Sequence, residues 1–146
     1  MQTIIDLFER KTEEYASNPF LWEKSEGQYK NTSYKETKDQ VYKFAAGLLN
    51  LGIEKGDRIA LLSEGRNDWI ISELSILYTG AVNVPLSVKL DATNELHFRL
   101  AHSGARMVIV SGSQAWKIDK IKRDLPDLER IIYLDAQDNY SKYELP

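Results

Sequence analysis

Residues 56–64 read GDRIALLSE and residues 78–86 read YTGAVNVPL. In the first stretch, residues 58–63 predict a strand, because four apolar residues follow one another with no polar residue between them. Residues 67–79 predict a helix that is apolar on more than one side, so we expect it to be buried rather than half exposed. A buried strand followed by a buried helix indicates an α/β protein with a parallel sheet.

The second stretch contains the signals that end this helix and begin the next strand. Gly80 is expected to stop the helix, and residues 81–84 predict a second strand. Pro85 should end the pairing of that strand, because proline has no backbone N–H to donate.

Strands and helices continue to alternate after this point, which predicts a β-α-β-α-β-α-β order with right-handed crossovers. No internal repeat or low-complexity linker interrupts the pattern, so one α/β unit is the simplest interpretation. The predicted elements are a helix over residues 91–103 that stops at Gly104, a strand over 107–110, a helix over 114–123 and a strand over 130–134.

The residues before this region predict a smaller accessory part. Two helices are each expected to begin with a capping box, in which a hydroxyl and a carboxylate three residues apart bind backbone N–H groups. Two short strands between them predict a hairpin. The predicted elements are a helix over residues 3–15 beginning at Thr3 and Asp6, strands over 20–24 and 28–32 joined by a turn at 25–27, and a helix over 33–51 beginning at Ser33 and Glu36 and ending at Gly52.

The composition excludes several classes of protein. A chain of 146 residues with 42% hydrophobic and 28% charged residues fits one domain with an ordinary core. The net charge of −3, from 19 basic and 22 acidic residues, does not favour nucleic-acid binding. The absence of cysteine excludes a disulfide scaffold, a zinc–thiolate site and a cysteine nucleophile. Without a signal peptide or an apolar stretch of membrane length, we expect a cytoplasmic protein, and peripheral membrane contact stays open.

The loop of residues 63–67 is the strongest candidate for a ligand contact. It follows a predicted strand and opens a predicted helix, where open α/β sheets bind ligands and helix starts attract anions. Arg66 would then add positive charge. The alternative is structural: Asn67 or Asp68 caps the helix, Gly65 turns the chain and Arg66 is solvated. We favour the structural interpretation, because most strand–helix loops bind nothing.

The remaining residues indicate neither a catalytic group nor a metal site. Neither a P-loop nor a dinucleotide-binding glycine motif is present. His97 and His102 are five positions apart, whereas a metal pair on a helix needs three or four, so we interpret both as surface or packed histidines. The charges of residues 117–130 predict a solvated helix face, and binding of coenzyme A phosphates by them is the less favoured alternative. Trp69 is expected in the core, while Trp116 is ambiguous.

Four motifs in this order resemble the adenylate-forming, or AMP-binding, enzymes. The resemblance extends from about Leu7 to Asp135 and is most similar in style to the bacterial long-chain fatty acid–CoA ligases, which are acyl-CoA synthetases. The motifs are Thr32-Ser33-Tyr34 with GLLNLG at 47–52, GDRIAL at 56–61, LYTGAVNVPL at 77–86, and HSGAR at 102–106 with VIVS at 108–111.

The resemblance implies a fold, a reaction and its cofactors. The fold would be α/β, a parallel sheet with flanking helices plus an N-terminal helix and hairpin, forming an incomplete N-terminal domain of a synthetase. Enzymes of this family activate a fatty acid with ATP and magnesium to an acyl-adenylate, and coenzyme A then forms the thioester. Residues 1–135 would be the N-terminal part of an AMP-binding synthetase domain, and residues 136–146 a tail cut from a larger domain.

The sequence departs from the family pattern in the groups that do the chemistry. It lacks the Ser/Thr/Gly-rich loop with Pro-Lys-Gly, the adenine and ribose motifs, the acidic residue linked to magnesium and the C-terminal domain with its lysine. No catalytic, cofactor-binding or metal-binding residue of the family therefore maps onto it. Residues 112–114 read Gly-Ser-Gln, where some relatives carry an arginine for coenzyme A. We expect this chain alone to be inactive and to hold none of these cofactors.

Two other interpretations stay open. The chain could be a self-standing, non-enzymatic α/β domain for binding or interaction. It could also be a piece of an adenylation enzyme that activates an amino acid or an aryl acid.

Overall fold

The computed structural model describes residues 2–136 and the backbone of residues 144–145. It contains a two-stranded antiparallel hairpin and a five-stranded parallel sheet with helices packed on both faces. The sequence predicts the hairpin, the parallel sheet and the flanking helices, but only four of the five strands. The strands are β1 (Pro19–Ser25), β2 (Gln28–Ser33), β3 (Arg58–Leu62), β4 (Val82–Leu86), β5 (Met107–Val110), β6 (Arg130–Tyr133) and β7 (Glu144–Leu145). The helices are α1 (Ile4–Glu14), α2 (Tyr34–Asn50), α3 (Asn67–Tyr78), α4 (His97–Ser103) and α5 (Ala115–Ile121).

The sheet has the strand order β4-β3-β5-β6-β7, and all neighbouring strands are parallel. The chain leaves β3 through α3 to reach β4, and then passes back to the other side of β3 to form β5. Because the direction reverses, crossovers of one hand place their helices on opposite faces of the sheet. A switch point results between β3 and β5, and open α/β sheets bind their ligands at the carboxyl side of such a point.

Both faces of the sheet are buried, each by its own set of helices. Successive residues of a strand point to opposite faces, so each buried strand contributes to two separate clusters. Burial on both faces explains why these strands are continuously apolar. The first cluster includes Leu48, Ile59, Leu61, Ile76, Met107 and Ile109, and the second includes Ala60, Leu62, Leu100, Val108, Val110 and Ile118.

The N-terminal helix is attached to the main body by the buried side chain of Phe8 and by one carboxylate. Glu9 of α1 accepts hydrogen bonds from Lys38 and Tyr42 of α2, each at 2.5 Å, and from Tyr78 of α3. One side chain therefore connects three helices. The predicted capping boxes are confirmed at Thr3 with Asp6 and at Ser33 with Glu36.

The prediction that Pro85 ends strand pairing is wrong. Pro85 lies inside β4 and is in register with Leu61 of β3. Val82 donates its N–H to the carbonyl of Asp57 at 2.7 Å, which places the N–H groups of alternate β4 residues toward β3. The nitrogen of Pro85 therefore faces away from β3, where no N–H is required for this pairing.

The predicted helix over residues 91–103 is divided into two parts. Residues 92–96 form a wide π-helical turn, in which Leu96 donates to the carbonyl of Asp91 at 2.9 Å. The α-helix α4 follows, and Gly104 ends it in the left-handed conformation with φ of 64°, as predicted.

The described residues after β6 contact the loop that begins α3 and the edge of the sheet. Asp135 is bound by Arg66, and the backbone of residues 144–145 pairs with Ile131 and Ile132 as β7. Residues 137–143 and 146 lie outside the described residues. Among the helices of the described part of the chain, none has the length and apolar character needed to cross a membrane.

Candidate functional site

Polar side chains from three loops meet at the carboxyl edge of the sheet, where β3, β5 and β6 end side by side. Each loop follows directly on a buried strand, so backbone pairing brings loops together that are far apart in sequence. The group lies across the switch point between β3 and β5. We call it the edge cluster, and it consists of Glu64, Arg66, Asp68, Ser111, Gly112, Ser113 and Asp135.

Arg66 is the cation of the edge cluster. Its Nη1 and Nη2 donate to the two carboxylate oxygens of Asp135 at 2.9 and 3.0 Å. Nη2 also donates to Oδ2 of Asp68 at 2.6 Å, and Nη1 lies 3.7 Å from Oε1 of Glu64. Only 24% of the Arg66 side chain is exposed, so water screens these bonds less than on an open surface. The guanidinium is thus neutralised by the protein itself.

Glu64 connects the loop after β3 to the loop after β5. Its Oε2 accepts hydrogen bonds from the hydroxyls of Ser111 at 2.7 Å and Ser113 at 2.9 Å. Ser111 is fully buried, and its hydroxyl therefore needs such an acceptor. Hydroxyl groups of the chain itself therefore satisfy this carboxylate at the switch point.

Gly112 allows the third loop to approach closely. Its N–H donates to Oδ2 of Asp135 at 2.7 Å. A Cβ atom at this position would lie 3.1 Å from that oxygen and 3.2 Å from Cβ of Asp135. Glycine is therefore required for this backbone to meet the carboxylate without a shift.

The bonds of the cluster favour the charged forms of its members. Arg66, and after it the Gly112 N–H, lowers the pKa of Asp135 below its ordinary value. Burial disfavours the charge of Glu64, but bonds from Ser111 and Ser113 and the charge of Arg66 outweigh it, so its pKa is also lowered. Asp135 above all raises the pKa of Arg66. The cluster is held by charge-assisted hydrogen bonds, which are stronger than neutral ones.

Neither sequence interpretation of the loop of residues 63–67 describes Arg66 correctly. It is not solvated, and it is not free to attract an anion, because one guanidinium faces the carboxylates of Glu64, Asp68 and Asp135. The predicted cap is wrong too. Arg66 is the N-cap residue of α3 and makes no side-chain cap bond.

The first turn of α3 donates a hydrogen bond to a carboxylate of the hairpin. The N–H of Asn67 donates to Oε1 of Glu23 at 3.3 Å. A carboxylate is favourable at the start of a helix, where free N–H groups and the helix dipole attract negative charge. An acid of the chain thus occupies the place that the less favoured, ligand-binding interpretation of this loop gave to an external anion.

The two histidines have separate neighbours, as expected for surface or packed residues. His97 lies 3.2 Å from the carbonyl of Asp124, and His102 is stacked on Phe98. Within residues 2–136, no group of three or more His, Cys, Asp or Glu side chains is arranged to hold a metal ion.

The solvated face predicted for residues 117–130 is wrong for Lys117. This side chain is only 8% exposed, and its Nζ donates to the carbonyls of Val88 at 2.6 Å and Leu90 at 2.9 Å. It is therefore not available to a phosphate. Trp69 packs against the core as predicted, while Trp116 is 57% exposed.

Sequence reasoning missed most of the edge cluster. The sequence indicates Glu64 only as part of a loop and does not indicate Ser111, Ser113 or Asp135 as site residues. Each lies within three residues of the carboxyl end of a parallel strand. This rule, applied to every predicted strand rather than to the first, would have found them.

The fold and this edge define a doubly wound α/β protein whose switch point carries a closed polar cluster. Residues 8–146 match the family model described as AMP-binding enzyme. The chain therefore belongs to the AMP-binding enzyme family, and the resemblance of its motifs to that family is confirmed.

Three similar proteins extend the comparison. Fatty acyl-CoA synthetase A of Dictyostelium discoideum is 32% identical over 92 residues, which are 63% of this chain and 14% of that protein. A long-chain-fatty-acid–CoA ligase of Mycobacterium tuberculosis is 26% identical over 110 residues, 75% of this chain and 18% of that protein. The crystal structure of coronafacic acid ligase from Pectobacterium brasiliense matches with a TM-score of 0.88 at 23% identity, over 98% of this chain and 28% of that one. The chain thus spans less than a fifth of these two curated relatives, and the structural likeness shows the fold.

Proposed function

We propose that this chain is the N-terminal part of an ATP-dependent long-chain fatty acid–CoA ligase. Membership of the AMP-binding family supports this, as do two relatives named as a fatty acyl-CoA synthetase and a long-chain-fatty-acid–CoA ligase. In the reaction that we propose for the whole enzyme, the fatty carboxylate attacks the α-phosphate of ATP and pyrophosphate leaves. The thiol of coenzyme A then attacks the acyl carbon, AMP leaves, and the thioester forms.

We base the role of this N-terminal part on one observation, which is that carboxylates of the chain itself balance the charge of Arg66 in the edge cluster. It lies at the switch point, where a ligand is expected, yet its guanidinium is bound by carboxylates of the chain. ATP and the phosphates of coenzyme A need free cationic or N–H groups, and magnesium needs an open set of oxygen ligands. The residues present do not fit these groups. We therefore propose that the chain is a scaffold, and that by itself it is inactive and holds none of the cofactors.

Pyrophosphate release tests the scaffold role. The pure chain of 146 residues, incubated with ATP, magnesium, palmitate and coenzyme A, should release no pyrophosphate above a heat-denatured sample. Release that depends on both ATP and palmitate would contradict the proposal.

The encoding DNA tests the origin of the chain. An open reading frame that continues past the codon for Pro146 into a Ser/Thr/Gly-rich loop with Pro-Lys-Gly is expected. An immediate stop codon would contradict the ligase proposal for this chain. Together with tight binding of a ligand or partner, it would support the self-standing interaction domain instead.

The acid that is activated is tested on the complete enzyme. We expect long-chain fatty acids to be preferred over amino acids and aryl acids in a pyrophosphate assay. The opposite preference would replace the fatty acid ligase with another adenylation enzyme. Cell fractionation tests the cytoplasmic location, which we also propose.

A further inference from the structure

The strand β4 lies at one edge of the five-stranded sheet, and β3 pairs with its inner side. The side chains of Val82 and Pro85 are exposed, so solvent reaches this edge. An edge strand presents a row of backbone donors and acceptors with which a strand of another molecule can pair. β-branched residues such as Val82 and Val84 favour such pairing. The outer side of β4 would therefore attract the same strand of a second copy of the chain unless a local feature prevents it.

The register of β4 determines which of its backbone groups face outward. The N–H of Val82 donates to the carbonyl of Asp57 at 2.7 Å, and the N–H groups of alternate residues point to the same side. The even-numbered residues of β4 therefore face β3, whereas Asn83 and Pro85 face outward. Because proline has no N–H, Asn83 supplies the one outward-facing amide of this strand.

The chain itself binds backbone groups just beyond both ends of this edge. Before β4, the N–H of Ala81 donates to Oγ1 of Thr79 at 3.3 Å. After β4, the carbonyl of Ser87 accepts the N–H of Leu90 at 3.2 Å. A partner strand could therefore not extend its pairing at either end without competing with a bond of the chain.

We propose that Pro85 closes the β4 edge to the same strand of a second copy of the chain. Two copies that meet antiparallel around a two-fold axis can place Asn83 of one opposite Pro85 of the other. Residues paired in this way exchange two N–H···O bonds, but position 85 offers only a carbonyl. The proline ring also occupies the space into which an N–H would point. If Asn83 instead lies opposite Asn83, Pro85 lies opposite Ala81, whose amide is already bound.

Substitution of the proline tests the inference, which does not depend on the ligase proposal. Pro85→Ala adds the missing outward N–H and leaves the N–H groups that face β3 in place. We expect the variant to self-associate about tenfold more tightly than the wild type, as measured by sedimentation velocity from micromolar to millimolar concentration. Pro126→Ala, at an exposed proline in the turn before β6, is the matched control and should associate like the wild type. Self-association of Pro85→Ala no tighter than that of the wild type would overturn the proposal.

A second substitution locates the contact of the associated variant. Lysine on an edge strand disfavours pairing, because its charge would have to be brought against the partner strand. Val82 is an exposed residue of β4, so Val82→Lys combined with Pro85→Ala should return self-association to the wild-type level. Association that Val82→Lys leaves unchanged would place the contact away from β4 and would overturn the proposal.

Amide hydrogen exchange of the wild type tests the open edge without relying on the folding of any variant. The Asn83 amide should exchange about as fast as the amides of exposed loops, whereas the Val84 amide, which faces β3, should be protected. Protection of Asn83 comparable with that of Val84 would show that this edge is covered, and the proposal would then be wrong.

Discussion

The guanidinium of Arg66 and the carboxylate of Asp135 form two parallel N–H···O bonds across 69 positions of sequence. Arg66 follows β3 and Asp135 follows β6, so the pair spans the intervening strand β5 and covers its loop. Arginine makes this planar arrangement with two bonds, whereas lysine offers a single ammonium. The pair therefore fixes the distance between two loops as well as balancing charge.

Removal of the Arg66 side chain should destabilise the fold. Arg66→Ala leaves Glu64, Asp68 and Asp135 without their common cation, and we expect a loss of about 1–3 kcal/mol in the free energy of unfolding. Arg66→Lys should recover only part of it. Urea unfolding measures the change, with Arg99→Ala, an exposed arginine on α4, as the matched control. Equal stability of the Arg66 and Arg99 variants would contradict this role.

A methyl group at position 112 should disturb the same contact from the backbone side. Gly112→Ala places its Cβ 3.1 Å from Oδ2 of Asp135, and we expect a cost of about 1 kcal/mol or more. Gly65→Ala is the control, because a Cβ there meets no atom within 4 Å and the backbone φ is not positive. Thermal unfolding of both variants is the measurement. A Gly112→Ala variant as stable as Gly65→Ala would show that the close approach relaxes at no cost.

Acid should weaken the fold through Asp135 and Glu64. Their ordinary pKa values are 3.8 and 4.5, and both are lowered in the folded chain, so the unfolded chain takes up protons first as the pH falls. This stabilisation is complete above about pH 5 and is lost as the pH falls through the lowered pKa values. Urea midpoints measured between neutral pH and about pH 3 should decrease in the wild type, and less so in Asp135→Asn. Asp127→Asn, an exposed acid, should keep the wild-type dependence, and the same dependence in Asp135→Asn would refute the assignment.

Loss of the buried ammonium of Lys117 should release the loop after β4. Lys117→Met leaves the carbonyls of Val88 and Leu90 without their donor, at a cost of about 1–3 kcal/mol. Lys89 is exposed in this loop, so trypsin should cleave after it faster in the variant. Lys120→Met, on the exposed side of α5, is the control. Cleavage at Lys89 at the wild-type rate in Lys117→Met would exclude the restraint.

The sequence predicts the central strands of the sheet well because both faces of these strands are apolar. Residues 59–62 and 107–110 are continuously apolar, and helix stops such as Gly104 depend on backbone conformation alone. Local sequence patterns do not predict features that depend on which element lies beside a residue. Pro85 is tolerated in β4 because its nitrogen faces away from β3, and this depends on which strand lies beside it.

The candidate site was less accessible to sequence reasoning, since its contacts join three distant loops. Asp135 directly follows the last predicted strand, and only the position of β6 beside β5 brings it to Arg66. Similarly, no local pattern indicates that Glu23, in a hairpin, completes the first turn of α3. Strand order, which periodicity does not reveal, determines both contacts.

The bond from Asn67 to Glu23 has a consequence for the pairing of the hairpin strands. The tight turn at Glu26 and Gly27, where both residues have positive φ, and the packing of Phe20 and Leu21 on the core already favour one alignment of β1 and β2. A slip of β1 by one residue would point Glu23 to the opposite face of the hairpin and put Trp22 in its place. The amide of Asn67 would then lose its acceptor. A helix more than forty residues away thus adds to the preference for the correct alignment of the hairpin. We expect the two to become ordered in the same step of folding.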